Sequence, residues 1–144
     1  MLKLTKKTDY ALMAINYMAY RKDSFVANTR NIAETYNIPR ELLAKILQKL
    51  AKDGFVESQN GPRGGYTLVK EPCDISLGEV IRAIEGPIQI VRCTEEGGAA
   101  CLQTEQCTIQ SPLRKIEREI VSYLDGITID KLSGMSADEV LKVS

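Results

Sequence analysis

The sequence predicts a mainly α chain with a small β-hairpin wing: a winged helix-turn-helix followed by a long C-terminal dimerisation helix. Three observations predict it. Apolar residues recur at helical spacing in three segments before residue 53, and the third is sharply two-faced. After Gly54 the period drops to two on either side of Asn60-Gly61-Pro62-Arg63-Gly64-Gly65, which reads as a hairpin turn. After Pro112, apolar spacings of three and four return over two heptads, the pattern of a helix that packs against a partner helix.

The first helix is expected from Thr8 to about Tyr20. Thr8 suits the N-cap, and Asp9 suits the first turn, where a carboxylate meets the positive end of the helix dipole. Leu12, Ile15, Met18 and Ala19 share a face, with Tyr10, Met13 and Tyr17 beside them. A polar connection over residues 21–24 leads to a short second helix, capped by Asn28 or Thr29, with Ile32 and Ala33 inward. Asn37 makes the turn. Pro39 opens the third helix, where its missing N–H costs nothing. That helix runs to about Lys52 with Leu42, Leu43, Ile46, Leu47 and Leu50 on one side. Arg40, Glu41, Ala44, Lys45, Gln48, Lys49 and Lys52 face away. Strands are expected over residues 55–58 and 66–69, which completes the order of a winged helix-turn-helix.

Ser76 and Glu79 form a capping box ahead of Val80, Ile81 and Ile84, and Gly86-Pro87 ends that helix. Residues 88–91 read equally as a short helix or a strand. Residues 92–111 hold three cysteines and few core residues. Pro112 opens a helix to Gly126, striped by Leu113, Ile116, Ile120, Tyr123 and Leu124. A short segment at 128–132 follows, and Ser136 with Glu139 marks a last small helix or a tail. The expected organisation is a DNA-binding domain over residues 1–71, a connector helix and cysteine loop over 72–111, and a dimerisation helix and tail over 112–144.

Composition narrows the function. The 144 residues carry no net charge, yet residues 1–70 hold 12 Lys/Arg against 6 Asp/Glu and residues 71–144 hold 7 against 13. A basic first half suits a polyanionic partner. The chain has no histidine, which excludes Ser-His-Asp and Cys-His hydrolases, and no catalytic residue is assigned; the chain is read as a binding protein, not an enzyme. No apolar run is long enough to span a membrane, and the N-terminus lacks a signal-peptide core, so a cytoplasmic location is expected.

Recognition of double-stranded DNA needs a helix that fits the major groove and donors that reach base edges and phosphates. Arg40, Lys45, Gln48 and Lys49 offer such donors on the outward side of the third helix, and Glu41 could accept from cytosine. Arg63 stands on a hairpin turn thin enough for the minor groove, and Thr29 and Arg30 open the second helix toward phosphate.

In a reducing compartment four cysteines read as metal ligands, redox sensors or buried thiols. Cys93, Cys101 and Cys107 lie in one loop, with Gly97-Gly98-Ala99-Ala100 freeing the longer gap to fold back. Thiolates are the ligands of iron–sulfur clusters, and three of them leave one iron site for a weaker ligand. Structural zinc prefers tighter cysteine pairs than these. A metal-free thiol switch would use Arg92 beside Cys93. Cys73, outside the loop, is expected to be a partly buried thiol.

Leu4-Thr5-Lys6-Lys7-Thr8-Asp9-Tyr10-Ala11, the wing Gly61-Pro62-Arg63-Gly64-Gly65-Tyr66, and Ile75-Ser76-Leu77-Gly78-Glu79-Val80-Ile81 followed by Glu85-Gly86 resemble the Rrf-type winged-helix repressors over about residues 2–133. Segment Glu85-Gly86-Pro87-Ile88 looks most like the regulators of iron–sulfur cluster assembly. The resemblance implies a homodimer joined by the long C-terminal helix, a palindromic operator and a 2Fe–2S or 4Fe–4S cluster on Cys93, Cys101 and Cys107. Such regulators sense cluster status, redox state or nitric oxide. Two departures stand out. The gap between Cys93 and Cys101 is two residues longer than in IscR-like and NsrR-like members, and Gln110 replaces the histidine that IscR-like members use as fourth ligand. NsrR-like members take an aspartate from the other subunit instead, and Asp9 occupies that place.

Overall fold

The computed structural model describes residues 3–20, 26–61, 64–90 and 108–134. Six helices and one hairpin follow in order: α1 (Lys6–Tyr20), α2 (Thr29–Tyr36), α3 (Arg40–Lys52), β1 (Val56–Gln59), β2 (Gly65–Leu68), α4 (Leu77–Glu85), α5 (Gln110–Gly126) and α6 (Ile129–Gly134), with a 3₁₀ turn at Pro72–Asp74 before α4.

Helix α1 starts two residues before Thr8. The Thr5 hydroxyl accepts from the Thr8 N–H at 3.3 Å, so Thr5 is the capping residue. Thr8 is instead completely buried beneath the first turn. Helix α2 is capped as expected: Asn28 accepts from the Arg30 N–H at 2.8 Å, and Asn37 ends it in the left-handed region at φ 54°. Pro39 stands one position ahead of α3 and supplies its carbonyl to Leu43 N–H.

Leu43, Ile46, Leu47 and Leu50 of α3 are buried against Ala11, Ala14, Ile15 and Met18 of α1 and Ile32 of α2 in one apolar cluster. Each fully buried Leu or Ile contributes roughly 1.5–3 kcal/mol, so this spine fixes how α3 is presented. The same cluster takes in Ile75, Val80 and Ile129, which welds α4 and α6 to the first three helices.

The hairpin is antiparallel with Val56 opposite Leu68 and Gln59 opposite Gly65. Its strands run one residue later and one earlier than the periodicity predicts. Ala27 exchanges two backbone hydrogen bonds with Tyr66, at 2.8 and 2.9 Å, and so ties the entry of α2 to the wing. Only glycine fits at 65, because a Cβ there would overlap the Ala27 carbonyl.

Helix α4 shows the full capping box: Glu79 N–H donates to Ser76 Oγ at 3.1 Å, and Ser76 N–H to Glu79 Oε2 at 3.2 Å. Gly86 ends it at φ 86°. Residues 88–90 join no helix or strand. After α5 the chain returns alongside the entry to α4, with Leu77 N–H donating to Ile127 O at 2.7 Å and Ile129 N–H to Ile75 O at 2.9 Å. That return buries Ile75, Ile127 and Ile129.

Helix α5 begins at Gln110, with Pro112 inside its first turn, where no N–H bond is lost. It has no fully buried residue over its 17 positions. Ile116 and Tyr123 remain 46% and 39% exposed, and Ile109 just ahead is 59% exposed. Cys73 is exposed on the 3₁₀ turn, not partly buried, and none of the turn's three residues is buried. Among the described residues, no helix is long and apolar enough to cross a membrane.

Candidate functional site

The burial of α3 on one side dictates what it shows on the other. Arg40, Glu41, Lys45, Gln48, Lys49 and Lys52 are all exposed, and Ala44 lies half-buried between them. Lys49 is already engaged, its Nζ 3.2 Å from Asp53 Oδ2 one turn on. Arg40, Lys45 and Lys52 make no ion pair with another described residue. Lys49 and Lys52 also sit in the last turn, where cations suit the helix dipole without any ligand. Neither reason applies to Arg40, Lys45 and Gln48, which are exposed earlier on the helix.

Thr29 and Arg30 open α2, which packs against α3. Thr29 is half-buried and Arg30 exposed, with its Nε held 2.9 Å from Glu34 Oε1 on the same helix. Such an exposed pair is worth well under about 1 kcal/mol, so Arg30 can be drawn to a phosphate at little cost. The wing is tied to the entry of α2 by the bridge between Ala27 and Tyr66. Arg63, expected at its tip, lies outside the described residues, as do Cys93, Cys101 and Cys107 and the Ser136-to-Glu139 tail.

Of the cysteine segment the described residues supply the two ends. Ile90 N–H donates to Glu117 Oε2 at 2.6 Å, and Thr108 leads directly into α5. Glu117 lies seven residues along α5 from Gln110, about 10 Å at the helical rise, so both ends are held on one half of α5. Gln110 is the first residue of α5 and half-buried; its amide is a poor iron ligand. Asp9 is half-buried in the first turn of α1, and its carboxylate pairs with no other described residue. Among the described residues no three thiols or carboxylates gather into a metal-sized group.

Three contacts joining these parts carried no sequence signal. Thr5 N–H donates to Glu85 Oε1 at 2.7 Å, Ile90 is held by Glu117, and Arg82 Nη1 stands 2.9 Å from Asp125 Oδ1. Their partners are remote in sequence, and periodicity speaks only of neighbours. A cleft of about 390 Å³ between α3, the hairpin base and α4 is lined by Lys49, Asp53, Phe55, Lys70, Glu79 and Arg82. Its charges are engaged: Lys49 by Asp53, Arg82 by Asp125, Glu79 in the cap, and Lys70 lying 5.7 Å from the Phe55 ring centre.

The Rrf2 family model, described as an iron-dependent transcriptional regulator, matches residues 4–134. The HTH-type transcriptional regulator NsrR of Bacillus subtilis is 33% identical over 131 residues, which is 91% of this chain and 90% of that protein. Among solved structures, CymR, described as the global cysteine regulator of B. subtilis, superposes with TM-score 0.76 at 29% identity, covering 94% of this chain and 99% of that one. The IscR of T. potens superposes with TM-score 0.71 at 26% identity, covering 94% and 93%.

Proposed function

The chain belongs to the Rrf2 family of transcriptional regulators, and from that premise we propose that it acts in the cytoplasm as a homodimeric repressor of a palindromic operator, with a sensor built on Cys93, Cys101 and Cys107. Its relatives are regulators and not enzymes. The observation that carries the DNA half of the reading is the division of α3: Leu43, Ile46, Leu47 and Leu50 hold it in the core while Arg40, Glu41, Lys45 and Gln48 stand exposed. Phosphate contacts from Thr29, Arg30 and Lys49 set the register, and Arg63 reaches from the wing. Residues 1–71 then form the DNA-binding part, 72–111 the connector and sensor, and 112–144 the dimerising part.

Helix α5 has no fully buried residue, and Ile116 on it and Ile109 just ahead of it are exposed, which supports a second copy as their cover. Half-sites about one DNA turn apart would face the two copies of α3.

For the sensor, three thiolates and a carboxylate make a donor set suited to iron–sulfur ligation. Cys93, Cys101 and Cys107 would hold a 2Fe–2S or 4Fe–4S cluster, with Asp9 of the partner subunit as the fourth ligand. Bound there, a cluster would supply a centre sensitive to oxidant, nitric oxide and iron supply. The chain's own part is mechanical. Asp9 rides on α1, which shares one core with α3, and Thr5 in the same turn is tied to Glu85 of α4. A load on Asp9 is therefore borne by the elements that aim α3 at DNA.

The test is anaerobic purification with iron and sulfide assays, an absorption spectrum, and operator affinity with and without iron. Iron-free, colourless protein after reconstitution, with unchanged affinity, defeats the cluster reading. A second reading is a metal-free thiol switch or a small-molecule effector, favoured by the likeness to CymR and by the exposed Cys73. DNA binding that dithiothreitol reverses in iron-free protein would select it.

A further inference from the structure

The cleft of about 390 Å³ between the end of α3, the hairpin base and α4 has the capacity of a small-ligand site, and the DNA reading leaves most of its lining unused. Backbone bonds fix its frame. Phe55 N–H donates to Leu50 O at 3.0 Å and Val69 N–H to Phe55 O at 3.1 Å, so the hairpin base is fastened to the last turn of α3. Lys70 follows directly, its Nζ 5.7 Å from the centre of the buried Phe55 ring. That attraction keeps an ammonium at the cleft while its three N–H donors stay available. Lys70 makes no ion pair with a described residue.

The charges of the lining favour an anion. Lys49, Lys70 and Arg82 stand against Asp53 and Glu79, three cations to two carboxylates, a net of +1. Lys49 answers Asp53 at 3.2 Å, and Glu79 is occupied in the cap of α4, accepting from the Ser76 N–H at 3.2 Å. Lys70 and Arg82 are left to meet a ligand. Arg82 serves two places. It lines the cleft, and it also reaches Asp125 of α5 at 2.9 Å, a residue outside that lining. Both members of the pair are partly open to solvent, so an incoming oxyanion displaces Asp125 against little resistance.

We infer that this cleft binds a small molecule with two or more anionic groups, carboxylate or phosphate, held between Lys70 and Arg82, and that the ligand competes with Asp125 for the guanidinium. Two groups are needed because the cations come from different elements, the hairpin base and α4. Binding therefore exchanges a link between α4 and α5 for one between α4 and the hairpin base. The site stands without the DNA reading. Its effect on an operator, a loosened spacing between two copies of α3 and weaker binding, rests on that reading.

The test is equilibrium dialysis of the full chain without DNA, at fixed ionic strength, with radiolabelled citrate in one arm and pyrophosphate in the other. Saturable uptake of one anion per chain is expected, and the arm that saturates tells carboxylate from phosphate. Lys70→Gln and Arg82→Gln should each weaken it about tenfold, the worth of a charged hydrogen bond. Asp125→Asn should strengthen it several-fold by removing the competitor. Glu119→Gln removes the same charge from an exposed site on α5 and should change nothing. No saturable uptake in either arm, uptake that Lys70→Gln leaves intact, or equal gains from Asp125→Asn and Glu119→Gln would overturn the inference. Operator affinity, with ionic strength matched by sodium chloride, should fall on adding the anion in wild type but not in Lys70→Gln. Protein that took up the anion yet ignored every duplex would defeat the DNA reading and leave the site standing. Lys70→Gln that weakened operator binding in protein taking up no anion would assign Lys70 to DNA and defeat the site.

Discussion

Arg82 and Asp125 meet across the junction of α4 and α5, Nη1 to Oδ1 2.9 Å apart, and the carboxylate lies over Gly78 so closely that a Cβ there would overlap it. The pair is 37% and 40% exposed, so its own worth is about 0.5 kcal/mol or less once solvent screening is counted. Its importance is geometric. Among the described residues it joins α5 to α4, the helix that shares a core with α3.

A double-mutant cycle reads this junction. Gly78→Ala should be neutral or destabilising in the wild-type chain, because Asp125 must swing away and release Arg82. With Asp125→Ala present, the same change should stabilise by about 0.5 kcal/mol through ordinary helix propensity. Urea unfolding of the four proteins measures both; equal effects in the two backgrounds would refute the overlap.

Gly65→Ala meets backbone instead of a movable side chain, the Ala27 carbonyl. The wing and the entry of α2 must separate, at roughly 1–3 kcal/mol as for other overpacked sites. Thermal unfolding should show the loss, together with weakened DNA binding. A Tm equal to wild type would contradict the Ala27–Tyr66 pairing.

Lys45→Ala touches nothing in the core, so folding stability should stay within about 0.5 kcal/mol. Affinity for DNA should fall. If Lys45 meets a phosphate, the salt dependence of binding should also lose about one unit of slope, as titrations by fluorescence anisotropy would show. Undiminished affinity would remove Lys45 from the interface.

Ser76→Ala deletes half of the capping box of α4 and should cost about 1 kcal/mol. Ser76→Asp, which keeps an acceptor for the Glu79 N–H, should recover most of it. Chemical denaturation decides, and failure of the aspartate to rescue would point to burial of Ser76 as the cause.

Asp130 accepts from the Thr128 hydroxyl, and that hydrogen bond chiefly holds its carboxyl below the usual carboxylate range. A lowered folded-state pKa adds stability that is present above the unfolded value and is lost as pH falls through the folded one. Stability from this group should be flat near neutrality and decline only in acid. Thr128→Val should shrink that acid-limb loss, as unfolding curves between pH 3 and 7 on the order of one unit apart would show; identical acid limbs would dismiss the bond.

Much of this protein was legible in residue order because the signals are local. Asn28, Asn37, the Ser76–Glu79 box and Gly86 act on backbone within four residues of themselves, and the leucines of α3 declare their buried side by spacing alone. The local reading slipped where a neighbour competed: Thr5 and Thr8 both suit a cap, and only burial shows that Thr8 belongs to the core. Pro112 marks the start of α5, yet the helix takes in two residues before it.

By itself the sequence determined that the chain is a winged helix with a basic outward face, a three-cysteine segment and a striped C-terminal helix. The tertiary structure alone decided that Thr5 is held by Glu85, Ile90 by Glu117 and Asp125 by Arg82. The physical reason is range. Capping, turns and amphipathic spacing are properties of a few consecutive residues, whereas a contact across 80 positions exists only once the core has brought its two ends together.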